Sequence, residues 1–556
     1  MRMIRLVHGL STSALGVLIL TTLAGGQETT RVSVNSAGAQ GNKESYDPAI
    51  SADGSVVAFW SYASNLVIGD TNGWGDVFIH DRLSGTTERV SVDSSGGEGN
   101  NSSWGAATST DGQIVTFQSW ASNLVAGDTN RDFDVFVHDR STGLTERVSV
   151  DSSGSEGNAC SGEAAISADG KFVTFLSYAS NLVTGDTNGS FDVFVHDRST
   201  GITERISVDS SGAQGNSHSY DPSISADGQI VAFQSGASNL VSGDTNGWQD
   251  IFVHDRTTGT TERVSVDSSG AEWIYWSGSP SISSDGRVVA FFVSDYLGGY
   301  DGFFEVWVHD RLTGISELVS VDSSGSTGNS WSFSPAISSD GQIVAFASLA
   351  SNLVAGDLNG TADIFVHYRS TGVTERASVN SSGAEGDGSS DRPSISADGQ
   401  VVAFWSYASN FVSADTNGTP DVFAHERCAV DATWSNYGTG FPGTLGVPSL
   451  ESREDPLFGT TITLDLGNSS GMFIVGLLLV GFQETSVPTN KGGDLLVVPA
   501  LTILLLLAPS GTSIEGDIPA NEALCGLEIF AQALELDPGA ANGVSFTPGL
   551  KLVFGH

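Results

Sequence analysis

The stretch Asp221-Pro222-Ser223-Ile224-Ser225-Ala226-Asp227-Gly228, Ile230-Val231-Ala232-Phe233, Ala237-Ser238-Asn239-Leu240-Val241, Gly243-Asp244-Thr245-Asn246-Gly247, Ile251-Phe252-Val253-His254-Asp255-Arg256 and Thr261-Glu262-Arg263-Val264-Ser265-Val266 is one copy of a repeat that fills most of the chain. Its turn aspartate recurs as Asp53, Asp111, Asp169, Asp227, Asp285, Asp340 and Asp398, at spacings of 58, 58, 58, 58, 55 and 58 residues. Short apolar, β-prone runs punctuated by Asp-Gly and Asn-Gly turns read as strands. In this copy they are a (222–225), b (230–235), c (250–255) and d (261–266). A period near 50 with several short strands per unit means stacked supersecondary units, and a radial stack of them is a β-propeller.

The ends of the repeat predict closure. Unit seven has strands a to c and stops at Arg427, while a spare d-like strand, Thr30-Arg31-Val32-Ser33-Val34, precedes the first complete unit. Pairing it with strand c of unit seven (421–426) leaves no open edge, and open edges invite aggregation. The expectation is an all-β chain: a seven-bladed β-propeller over 29–427, closed by the N-terminal strand, followed by a β-sandwich-like domain over 428–556. In that second domain, runs at 462–466, 473–482, 495–498 and 501–507 are separated by Gly, Pro, Asn and Ser. Segment 524–536 fits a short helix or a strand pair equally.

Residues 1–24 have the layout of a signal peptide, with Arg2 and Arg5 before an apolar stretch at 14–23 and the small exit Thr22-Leu23-Ala24. The chain is therefore expected to be secreted, periplasmic or extracellular, without a membrane span when mature. Segment 495–508 is apolar, but Pro499 interrupts it and buried strands are expected there. A net charge of −41, from 23 basic and 64 acidic residues, argues against nucleic acid or anionic membrane as partner. With three cysteines, disulfides do not carry the fold; Cys428 and Cys525 are placed for one bridge, and Cys160 is left over.

The Pro-x-Ile-Ser-x-Asp-Gly turn, the apolar strand after it and the Asp-Val-Phe-Val-His-Asp-Arg strand resemble the WD40-like (PD40) repeat of TolB-type propellers over about 29–427. The resemblance implies the propeller fold. It implies no one activity, because propellers host unrelated functions.

Repeated residues are expected to build the ring. His80, His138, His196, His254, His309, His367 and His425 occur once per unit, and hydrogen bonding between neighbouring strands is their expected role. The b–c loops carry Asp-x-Asn-Gly-x-x-Asp arrays. They offer Asp70, Asn72, Asp76, Asp186, Asn188, Asp192, Asp244, Asn246, Asp250, Asp357, Asn359, Asp363, Asp415, Asn417 and Asp421 as oxygen ligands for calcium. The competing reading is an Asn-Gly turn whose Asp and Asn side chains bond backbone amides without metal. In unit two, Arg131 replaces the Gly and disfavours a cation there.

Unit five departs from its siblings in two loops expected on one face. Trp273, Tyr275 and Trp276 appear in its d–a loop, and Tyr296 and Tyr300 in its shortened b–c loop. Clustered aromatics suit a contact surface, and these five are the expected ligand-binding residues. Enzymatic signatures are poor: Gly467-Asn468-Ser469-Ser470-Gly471 matches G-x-S-x-G by letter only, with His556 the one histidine downstream. The reading is a secreted, non-enzymatic binding or interaction module meeting a glycan or protein. The alternative is an extracellular hydrolase or lyase with a pocket in the propeller channel.

Overall fold

A computed structural model describes residues 27–294, 304–427, 432–457, 460–518 and 524–555. The segment 1–24 and residues Tyr296, Tyr300 and Cys428 lie outside these. Every regular element among the described residues is a β-strand, and none is a helix long and apolar enough to cross a membrane. The chain divides into two compact units, one comprising 28–427 and the other containing 428–556.

The first unit consists of repeated four-stranded antiparallel sheets that resemble propeller blades. Sheet 1 runs Ser45–Ile50 (a), Val56–Ser61 (b), Asp76–Asp81 (c) and Thr86–Arg89 (d). Sheets 2 to 6 repeat this order along the chain, and sheet 7 consists of Ser390–Ile395, Val401–Ser406, Asp421–Glu426 and the N-terminal Glu28–Arg31. Strands b and c fall where the sequence places them, as in Ile230–Ser235 and Asp250–Asp255. Strand a starts earlier than expected (Ser219–Ile224), because a bulge between Tyr220 and Ser223 lets pairing with strand b continue past Pro222. Strand d ends earlier (Thr260–Arg263).

Continuous apolar runs in strands b and c follow from burial on both faces. Val57 and Phe59 pack with Ala403, Val422 and Ala424 of sheet 7, while Val56 and Ala58 pack with Val115 and Phe117 of sheet 2. In sheets 1 to 4 and 6 the central strand-b phenylalanine also stacks on its strand-c partner, as Phe59 does on Phe78 at 6.0 Å and Phe117 on Phe136 at 5.8 Å. Full burial of one such ring contributes about 2–3 kcal/mol. The Ser-x-Asp-Gly turn has a local cause: Asp53 accepts from the Ser51 hydroxyl (2.7 Å) and Ser55 N–H (3.0 Å). Gly54 has φ +72°, and a Cβ there would lie 2.6 Å from Val401 of sheet 7.

These turns are linked to one another. Backbone N–H groups donate from Ala52 to Thr110, Thr110 to Ala168, Ala168 to Ala226, Ala226 to Ser284, Ser284 to Ser339, Ser339 to Ala397, and Ala397 back to Ala52, at 2.8–3.0 Å. The N-terminal strand Glu28–Arg31 pairs antiparallel with Asp421–Glu426. It makes the contacts that strand d makes elsewhere: Thr29 Oγ1 meets His425 Nδ1 at 2.8 Å, as Thr87 meets His80 at 2.9 Å. The histidines thus bond neighbouring strands, His309 using Ser316 where the others use threonine.

In the second unit a six-stranded sheet and a three-stranded sheet contribute to one core, with Ile474, Leu478, Leu507 and Leu552 from the first and Leu450, Ile462 and Leu464 from the second. Segment 524–536 holds one strand, Glu528–Glu535. The 495–508 run is not uniformly buried: Leu501–Leu507 is an edge strand whose Leu504 and Leu506 are exposed. Cys525 is disulfide-bonded and Cys160 is free.

Candidate functional site

Strand d supplies each acidic loop with an arginine. Arg89 Nη1 lies 3.5 Å from Asp70, 3.2 Å from Asp76 and 3.0 Å from Glu98. Arg147 sits in the same way among Asp128, Asp134 and Glu156 at 3.8, 3.4 and 2.6 Å. Arg263 and Arg376 sit likewise beside an aspartate and Glu272 or Glu385, while Arg31 and Arg205 meet two aspartates each, with Gln40 and Gln214 in the glutamate's place. In sheet 5, where the b–c loop departs from the array, strand d carries Leu318 in place of arginine. The arginine and the acidic array therefore occur together or not at all.

Three of these clusters could hold a metal ion by their carboxylates: Asp128, Asp134 and Glu156; Asp244, Asp250 and Glu272; Asp357, Asp363 and Glu385, with oxygens within 4.8 Å of one another. The expected asparagine ligands are corrected. Asn72 Oδ1 accepts the Trp74 N–H (2.8 Å), and its Nδ2 donates to Asp76 and to the Gly99 carbonyl (both 3.0 Å). Asn188, Asn246, Asn359 and Asn417 are used likewise. These are Asx turns, with the amide nitrogen, not the oxygen, facing the carboxylates. The third carboxylate, such as Glu98 or Glu156, comes from the d–a loop some 27 residues onward. Strand pairing, not loop spacing, brings it in, so the sequence motif did not contain it. Burial raises the pKa of Asp70, Asp134, Asp250 and Asp363 to about 6 against the opposing pull of the guanidinium.

Of the expected ligand-binding aromatics of unit five, the described ones, Trp273, Tyr275 and Trp276, pack against other side chains; Tyr296 and Tyr300 lie outside the described residues. Trp273 lies 4.9 Å from Trp307 and 5.7 Å from Phe291, and Tyr275 packs against the same core. Trp273 stands where siblings have Gly41, Gly99 and Gly157, each of which touches the alanine of an Ala-Ser-Asn-Leu segment. Unit five lacks that segment. A large ring occupies space that Ala and Leu fill in the other sheets. Trp276 contacts Phe292 at 5.1 Å and Phe304 at 6.0 Å.

A pocket of about 560 Å³ lies instead between sheets 1 and 2, lined by Trp60, Tyr62, Gly75, Trp104 and Trp120 with Asn101, Ser102 and Ser103. Its origin is the residue before strand c. In sheets 2, 3 and 5 this residue is Phe133, Phe191 or Phe304, and each fills the gap to the next sheet. Phe191 contacts Tyr178, His218 and Tyr220, and Phe304 contacts Trp276, Phe292 and Trp331. In sheet 1 it is Gly75, with an ordinary backbone φ; a Cβ there would come no nearer than 3.4 Å to Tyr62. The missing ring in the repeat was the signal available.

Seven strand-a residues at the bulge share a left-handed conformation: Asp47, Gly105, Glu163, Asp221, Ser279, Ser334 and Arg392, with φ between 46° and 65°. They are not repeated in identity. Asp221 N–H donates to Glu163 Oε2 (3.1 Å), and Arg392 Nε lies 3.3 Å from Asp47. The Glu163 side chain is reached by water, yet surrounding protein and the nearby Asp221 raise its pKa. The Gly467–Gly471 segment is a loop in which Ser469 bonds Asp537 and Ser545, with no histidine.

No family model and no curated protein matches the chain. Among solved structures it is similar to the putative TolB from Agrobacterium tumefaciens, at 16% identity over 53% of this chain and 87% of that one, with a TM-score of 0.33. It is also similar to the RRP9 WD40 repeats (8% identity, 72% and 97% covered, TM-score 0.35). An ancestral GH74 enzyme is a third (12% identity, 73% and 52% covered, TM-score 0.37).

Proposed function

We propose that residues 29–427 form a seven-bladed propeller closed by the N-terminal strand, followed by a β-sandwich over 428–556, and that the secreted protein is a binding module. The cyclic backbone hydrogen bonds and the pairing of Glu28–Arg31 support the ring. One observation carries the function: the pocket that Gly75 leaves between sheets 1 and 2. Ligand sites are concave, largely preformed and lined by aromatics with a few polar groups, commonly about 300–1,000 Å³ in volume. Retention of native extracellular material by the parent and by the double variant Trp104→Ala, Trp120→Ala tests this. Equal retention contradicts it.

In this reading the arginines are the resident cations of the acidic loops, and calcium is not required by them. Calcium binding would need to displace the guanidinium or share its carboxylates.

A second reading, hydrolase or lyase, draws on Glu163 and Asp221. Burial raises the pKa of both carboxyl groups, and Asp221 adds to the rise at Glu163, a bias that general acids use. Glu163→Gln separates the readings: it abolishes a hydrolytic activity and spares pure binding at the Gly75 pocket.

A further inference from the structure

We infer that the occupant of the Gly75 pocket is an uncharged pyranose chain, an inference that rests on the pocket being the binding site. The walls are flat rings held rigidly before any ligand arrives. Phe133 props both Trp104 (5.8 Å) and Trp120 (5.2 Å) from behind. Tyr46 backs Trp60 at 5.0 Å, and the Trp60 indole N–H donates to Asp47 at 3.0 Å, fixing its plane. Rings fixed this way lose little freedom on binding, which is the main cost of contact with a flexible chain. The negative π faces suit the weakly positive C–H face of a pyranose.

The polar edge is neutral and suited to hydroxyl groups. Asn101 Oδ1 accepts the Ser102 N–H at 2.8 Å, and its amide nitrogen has no hydrogen-bond partner among the described residues. Asn101 lines the pocket, so this donor is left available to a ligand. No carboxylate or cationic side chain lines the pocket. Asp47, which holds the Trp60 indole, is also paired with Arg392. The surrounding loops and the net charge of −41 repel polyanions such as uronate or sulfated chains. A peptide partner is disfavoured because the rim offers no free strand edge: Ser103 N–H at the start of strand a is already bonded to the Gly75 carbonyl at 2.8 Å.

The test titrates the full chain with neutral hexose oligosaccharides of four to six units in α and β linkages, and with galacturonate and glucosamine oligomers, following tryptophan fluorescence. The expected result is a saturable change with at least one neutral series, a Kd raised tenfold or more by Trp120→Ala, no response in Gly75→Phe, and weaker or no response to galacturonate. Stronger binding of the galacturonate or glucosamine series overturns the inference. If no oligosaccharide binds while Gly75→Phe still abolishes retention of native extracellular material, the glycan assignment fails and the pocket reading stands. If Gly75→Phe changes nothing anywhere, both fail. Thermal melting of each variant identifies any that misfolds, and the parent's response to the panel decides the ligand class by itself.

Discussion

Gly75 and Phe133 occupy the same step of consecutive repeats, and their carbonyls accept the same hydrogen bond, from Ser103 N–H and Ser161 N–H, both at 2.8 Å. The backbone is indifferent to which residue stands there. The side chain is not: Phe133 supports two tryptophans on one side of sheet 2, and its absence from sheet 1 leaves them exposed to a pocket. Between sheets 1 and 2, the missing ring leaves a pocket where Phe133 fills the space after sheet 2.

Closure of the ring gives the first prediction. Deleting residues 28–34 removes a whole strand of sheet 7, the fully buried Val32, and the partners of His425 and Asp421. Thermal melting should show a large fall, beyond what Val148→Ala in sheet 2 produces. The single variant Val32→Asp, which buries an unpaired charge, should cost about 3 kcal/mol or more. A deletion variant that melts like the parent contradicts the ring.

The acidic loops yield a second. Arg147→Leu gives sheet 2 the residue that sheet 5 carries and leaves Asp128, Asp134 and Glu156 without their cation. Removing one partner of a buried ion pair costs about 3–5 kcal/mol. At pH 7.5 with chelator the variant should melt well below the parent, and millimolar calcium or a shift to pH 5 should restore part of the loss. The parent's melting temperature should not respond to chelator. A chelator-sensitive parent would identify a metal, not arginine, as the resident cation.

Acidity of the medium is the third. The folded-state pKa values of Asp70, Asp134, Asp250 and Asp363, about 6, exceed the unfolded value of about 3.9. Their contribution is fully present below the unfolded value and is lost as pH rises through about 6. The turn carboxylates Asp93, Asp151 and Asp209, lowered chiefly by hydrogen bonds from serine hydroxyls, act oppositely and lose stability at low pH. Melting temperature should therefore be highest at about pH 4, fall between about pH 4 and 6.5, and level off above that. A flat or rising profile over that interval contradicts the assignment.

Much of this architecture was legible in the repeat. Strands b and c were readable because burial on both faces forces an apolar run of fixed length, and the spare N-terminal strand was readable from its Thr-x-Arg-Val-Ser-Val likeness to strand d. The candidate site was much less so. Trp273 read as a ligand contact because the sequence shows a ring gained in one loop and an Ala-Ser-Asn-Leu segment lost from another, but not that the two meet in space. The Glu98 and Arg89 partners of Asp70 come from other strands, so no loop motif contains them. The pocket itself arises where a ring is missing, and because four of the seven repeats lack a ring at this step (Gly75, Gln249, Ala362 and Pro420), its absence from one of them is a faint signal.

The reassignment of Trp273 carries its own prediction. Trp273→Ala should destabilise the protein by about 3–5 kcal/mol, as large-to-small changes in a core do, while ligand binding per folded molecule stays unchanged. Denaturant melts beside binding isotherms check this. Lost binding with intact stability would return the site to unit five.

The most direct measurement compares the dissociation constants of the parent and of Gly75→Phe for one extracellular polysaccharide, in the same buffer and with melting curves alongside. Phenylalanine stands at this step in sheets 2, 3 and 5, so the variant should fold and melt within a few degrees of the parent. The ring should fill the pocket and weaken binding by about a hundredfold, the roughly 2.7 kcal/mol expected of a lost central contact. Unchanged affinity in a folded Gly75→Phe protein would show that the ligand binds elsewhere.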